Sequence, residues 1–199
     1  RGQYIDMAMS DGALSLACLA ASDYFSTGEA PRPGDYYLNG ALPCYHVYAT
    51  ADGKWLSVGC MEPWFWTKLC DILGCAEYGP EQFNRDKFPE MFTALRERLA
   101  QKTRDEWFAL FREANLCVTP VYGMDEAVAD PHARAREMIV ELPDPRFGAI
   151  QQVGVAPKFS DTPGSVRTLA PSPGQHTEAV LGELGYTAEE IAKLIGRDG

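Results

Sequence analysis

Glu62 is the residue whose surroundings could do chemistry, set between the apolar run Val58-Gly59-Cys60-Met61 and the run Pro63-Trp64-Phe65-Trp66. A carboxylate in apolar bulk can serve as a general acid or base, because desolvation raises its pKa. A helix amino terminus acts in the opposite sense, so the sequence fixes neither the sign nor the size of the sum. The same residue suits a plain helix cap, and the local sequence favours that simpler role. Cys60 has no cationic or His neighbour to stabilise a thiolate, which argues against a nucleophile. The three histidines have structural readings: His46 within an alternating strand, His132 at a helix start after Asp130-Pro131, and His176 just ahead of a helix. No phosphate loop, GxSxG elbow, HExxH or GxGxxG is present.

The composition narrows the class. Eighteen Lys plus Arg against 28 Asp plus Glu leave a formal charge of -10, with no basic cluster to offset it. Such a balance repels a phosphate backbone, so nucleic acid is not an expected partner. An apolar content of 46% with 11% aromatics is enough to bury a core in one domain or two small ones. No apolar run approaches the ~20 residues of a membrane span, and no secretory signal opens the chain; a cytoplasmic protein without a membrane partner is expected. The six cysteines form no CxxC pair and have no His at ligand spacing, so reduced, packed thiols and no metal are expected.

The elements that must position Glu62 are legible around it. Tyr45 to Ala49 and Trp55 to Gly59 read as strands joined by a tight turn at Asp52-Gly53, and Pro63 opens a helix that Gly74 stops. Its apolar face is read as Phe65, Leu69, Ile72 and Leu73. Pro89 to Ala100 and Thr103 to Ala114 follow as amphipathic helices, facing inward with Phe92, Leu95 and Leu99 and with Trp107, Leu110 and Phe111. The second is opened by the capping box Thr103 to Glu106. Cys117 to Tyr122 carries Pro120 and suits an edge strand. Upstream, Gly2 to Met7 alternates like a short strand, and Asp11 to Phe25 reads as one long helix capped by Ser10 or Asp11. Glu29 to Gly40 is rich in breakers and suits a linker or a loop over a site. Downstream, Met124 to Met138 reads as helix broken at Asp130-Pro131, Ile150 to Val155 and Lys158-Phe159 as strand, and His176 to Leu184 and Thr187 to Ile195 as short helices.

In order along the chain, Arg1-Gly2-Gln3-Tyr4-Ile5-Asp6, Asp11-Gly12-Ala13, Asn39-Gly40, Pro43-Cys44-Tyr45 and Val47 to Lys54 form a motif series. It continues through Val58 to Trp66, Cys117 to Val121, Ala129 to Arg134 and Gly174 to Leu181. Together these resemble the class III CoA-transferase superfamily, also called CaiB/BaiF, and most nearly its alpha-methylacyl-CoA racemase branch. One departure is Asn39, since racemases typically carry an aspartate before the glycine there.

The resemblance implies an α+β chain that is the carboxy-terminal part of an acyl-CoA enzyme. Residues 1-40 would end the large domain and form the linker helix, 41-125 the small α+β domain, and 126-199 a helical segment returning to the large domain. The large half would precede Arg1. Family members are interlocked homodimers, an arrangement that a chain cut this way is expected to lose. Glu62 matches the glutamate that faces the substrate α carbon in the racemase-like branch, where its His and Asp partners lie in the preceding half. Asn39, Gly40, Tyr45 and Met61 are the expected substrate-binding residues. The implied reaction is racemisation of 2-methylacyl-CoA thioesters through an enolate. The alternatives are CoA transfer between carboxylic acids and a folded module inactive by itself. No cofactor is implied beyond coenzyme A thioester as substrate.

Overall fold

A computed structural model describes residues 2–196, as an α+β chain that divides into two compact units after Tyr122. The first unit begins with α1 (Met9–Leu16) and α2 (Cys18–Thr27). The expected single helix is therefore broken at Ala17, and its first cap is Ala8 rather than Ser10 or Asp11. Neither piece buries a residue, so no packing enforces one straight rod. Residues 2–8 form no strand, because among the described residues no neighbour pairs with them.

The working part of this unit is a three-stranded antiparallel sheet in the order β1 (Tyr45–Ala49), β2 (Trp55–Gly59), β3 (Val118–Val121). The hairpin turn is closed by Gly53 at φ 72°, a conformation that glycine adopts without strain. Pro120 sits opposite Leu56 on the outer strand, where a missing N–H costs nothing to the ladder. Against the sheet pack α3 (Pro63–Leu73), α4 (Phe88–Leu99) and α5 (Arg104–Glu113). The core is continuous, with Tyr48, Leu56, Trp66, Leu69, Leu95 and Phe111 fully buried.

Helix faces are rotated slightly from expectation. In α3 the buried residues are Trp66, Leu69, Cys70 and Leu73, with Phe65 and Ile72 half-buried. In α4 they are Met91, Leu95 and Leu99, and in α5 Leu110 is exposed while Arg104 joins Trp107 and Phe111 inside. The Thr103 to Glu106 capping box is formed in both directions.

The second unit holds a two-stranded hairpin, β4 (Ile139–Asp144) with β5 (Gly148–Val153), and the short helices α6 (Met124–Ala129), α7 (Pro131–Ala135), α8 (Thr177–Glu183) and α9 (Ala188–Leu194). The break between α6 and α7 falls at Asp130, whose carboxylate accepts from the backbone N–H groups of His132 and Ala133. Helix α7 stops at Ala135 because Glu137 takes a positive φ of 54° and the N–H groups of Glu137 and Met138 turn back to the carbonyls of Arg134 and Ala133, each at 2.9 Å. Lys158 and Phe159 lie outside any strand. No described helix is long and apolar enough to cross a membrane.

Candidate functional site

Glu62 is the residue at which β2 becomes α3. Its backbone is extended (φ -73°, ψ 137°), and its carbonyl accepts the first helical N–H groups, from Phe65 at 3.0 Å and Trp66 at 3.1 Å. Its side chain does not cap the helix, so the simpler role that the local sequence favoured is not the one observed. The carboxylate is exposed, and among the described residues it has no hydrogen-bond or salt-bridge partner.

The backbone beneath Glu62 is held from three sides. The N–H of Gly59 donates to the carbonyl of Cys117 at 2.8 Å, and the N–H of Cys60 donates to the carbonyl of Cys44 at 2.9 Å. The third hold is the side chain of Gln82, only 4% exposed, whose Nε2 donates to the carbonyls of Cys60 (3.2 Å) and Met61 (2.8 Å). Its Oε1 is buried without a partner among the described residues. No local sequence signal marks Gln82, which leaves a 3-10 turn (Ala76–Glu81) twenty residues downstream of the junction.

Cys60 is fully buried, and that burial, reinforced by the neighbouring thiol of Cys117, pushes its pKa up to about 12. A thiol so held is a packing group and not a nucleophile. Cys44, Cys70 and Cys75 are also buried, whereas Cys18 and Cys117 are exposed; all six are free. Among the described residues no three His, Cys, Asp or Glu side chains are grouped to hold a metal ion.

Asn39, Gly40 and Tyr45 come together along one cavity of about 280 Å³, which they line with His46, Ser57 and Val58 among others. The Oδ1 of Asn39 accepts from the N–H of Tyr36 at 2.8 Å, so its carbonyl closes the loop and its amide nitrogen remains for other contacts. Met61 and Glu62 do not line that cavity. Met61 is half-buried, its sulfur 3.9 Å from Sγ of Cys44. Both groups nevertheless sit at the open end of one hairpin, since the register pairs Tyr45 with Gly59.

Of the three histidines one is packed and two are exposed. His46 is half-buried, edge-on to the rings of Tyr48 and Phe92, each centroid 5.0 Å away. His132 follows the Asp130 cap, and His176 precedes α8. The Gly174 to Leu181 motif lines a surface cavity of about 570 Å³ within the second unit.

An α+β module with a free carboxylate fixed at a strand-to-helix junction is what the fold and site define. The sequence matches the model of CoA-transferase family III over residues 1–177. Alpha-methylacyl-CoA racemase of Mus musculus is 36% identical over 201 residues, covering 98% of this chain and 50% of that protein. The racemase of Homo sapiens is 35% identical over 200 residues, with the same shares. A succinyl-CoA–D-citramalate CoA-transferase of Chloroflexus aurantiacus is 27% identical over 201 residues, covering 98% and 50%. The crystal structure of a CAIB/BAIF family protein from Brucella suis superposes with a TM-score of 0.73 at 24% identity, covering 92% of this chain and 48% of that one, a likeness of fold. This chain belongs to CoA-transferase family III. It spans about half the length of the curated relatives it matches.

Proposed function

We propose that this chain forms the carboxy-terminal part of an acyl-CoA racemase that inverts 2-methylacyl-CoA thioesters, with Glu62 in its acid/base apparatus. The observation that carries this reading is the unspent carboxylate of Glu62, exposed at the junction yet seated on a tightly held backbone. A carboxylate used as a cap would be a structural part; one left free is available to a substrate. The higher identity to the racemases than to the transferase named above points the same way.

The reaction needs two groups on opposite faces of the α carbon. One takes the α proton, and the C–H electron pair moves into the thioester to give an enolate. The other returns a proton from the far side, and the enolate collapses to the thioester with the stereocentre inverted. Hydrogen-bond donors must meet the oxyanion while it lasts. Glu62 takes or orients one of these protons, and its His and Asp partners lie in the half of the enzyme that the relatives possess beyond this chain's span. Asn39, Gly40, Tyr45 and Met61 shape the acyl side at the open end of the hairpin. The enzyme works as a cytoplasmic homodimer, its substrate is the CoA thioester with no further cofactor, and the module alone is inactive because one carboxylate cannot run both half-reactions.

The second reading, CoA transfer between carboxylic acids, is favoured by the match to the Chloroflexus transferase. Full-length protein incubated with a 2-methylacyl-CoA in deuterated water separates the two. Racemisation exchanges the α hydrogen and leaves no acyl-enzyme for hydroxylamine to trap. A trapped acyl hydroxamate without α exchange would establish the transferase instead.

A further inference from the structure

We infer that Gln82 is a positioning residue for Glu62, an inference that rests on the reading of Glu62 just given. Successive carbonyls of a regular strand point to opposite sides of it. One amide nitrogen nevertheless reaches the carbonyls of both Cys60 and Met61, at 3.2 and 2.8 Å. The chain has therefore left strand geometry after Gly59, and Gln82 holds the bend from which Glu62 projects. The amide nitrogen thus bridges the two carbonyls of that bend.

The choice of residue is itself informative. Gln82 is 4% exposed and leaves Oε1 buried without a partner among the described residues. A buried acceptor with nothing to accept is a standing cost that an apolar side chain of similar length would avoid. Packing alone does not call for an amide here. What the amide adds is a donor nitrogen, which reaches the two peptide units immediately ahead of Glu62. Thr67, Gly79 and Phe83 line the adjoining cavity of about 590 Å³ with Gln82 and Pro63, so the anchor and the start of α3 share one wall. Displacing that wall by a fraction of an ångström moves the carboxylate relative to a substrate held by the rest of the enzyme, and misplacement on the ångström scale is expensive in rate.

The test is a double-mutant cycle in the full-length enzyme, read as α-proton exchange of a 2-methylacyl-CoA in deuterated water with kcat and KM separated. Glu62→Gln, Gln82→Met and the double variant are compared with wild type. Gln82→Met is expected to lower kcat about 10- to 100-fold with KM held within about twofold, and to cost nothing further once Glu62 is Gln. Should Gln82→Met fail to fold, judged by loss of its thermal transition, Gln82→Glu runs the same cycle, being equal in size but poorer in donors. Unchanged kcat in a folded Gln82 variant, or an equal loss in the Glu62 and Glu62→Gln backgrounds, overturns the positioning role while leaving Glu62 intact. Wild-type exchange by Glu62→Gln removes the reading of Glu62 and the role of Gln82 with it.

Discussion

The carbonyl oxygen of Gly40 lies 2.9 Å from Nδ1 of His46, and because a carbonyl only accepts, that nitrogen carries the proton. The bond ties the loop bearing Asn39 to the first strand, and it closes one wall of the cavity that Asn39, Gly40 and Tyr45 share. Gly40 itself stands at φ 104°, and a Cβ there would lie 3.0 Å from the same nitrogen. Gly40→Ala should therefore lose about 1–3 kcal/mol, from a backbone that L-residues rarely adopt. Urea denaturation read against wild type checks it.

Trp66 is fully buried, and its Nε1 donates to the carbonyl of Tyr78 at 2.8 Å. Trp66→Ala both opens a cavity beneath α3 and strands that carbonyl. A loss of about 3–5 kcal/mol in unfolding free energy is expected, measured by the same denaturation.

The acid dependence of stability should trace partly to Asp52. The Thr50 hydroxyl donates to its Oδ1 at 2.6 Å and the N–H of Arg104 at 3.2 Å, and these bonds hold its carboxyl below the ordinary range. A carboxyl lowered by folding stabilises the native state above its unfolded pKa, and loses that contribution as pH falls through its folded value. The melting-temperature advantage of wild type over Asp52→Asn should thus be full at neutral pH and shrink below about pH 4. Thermal melts of both proteins across that interval test the sign.

Cys60 should resist thiol reagents. Its burial and raised pKa leave almost no thiolate at neutral pH. Mass spectrometry after brief iodoacetamide treatment should find it unmodified in the native protein and alkylated once the chain is unfolded.

What the sequence made legible were the features written in neighbouring residues. Asp52-Gly53 between alternating runs marks the hairpin, Pro63 and Gly74 bracket α3, and Thr103 with Glu106 marks a reciprocal cap that is formed. Helix faces were less legible. Trp64, Phe65 and Trp66 are all aromatic, so no polar residue shows which one faces inward; the fold buries Trp66 and leaves Trp64 exposed. Strand β4 went unread because Ile139–Asp144 carries Glu141 and Pro143, which dilute its strand signal. Around the candidate site the carboxylate was visible, since its apolar flanks are local. Its backbone anchor was not, because Gln82 meets Cys60 and Met61 only through the fold. The shared cavity of Asn39, Gly40 and Tyr45 likewise depends on how the loop returns to β1.

The racemase reading turns on whether Glu62 handles a proton at carbon, and the direct measurement is deuterium incorporation at the α position of a 2-methylacyl-CoA by full-length wild type and Glu62→Gln. Gln keeps the shape and removes the basic carboxylate, so exchange should slow by about 100-fold or more while both proteins melt alike. Exchange by Glu62→Gln at the wild-type rate would contradict it.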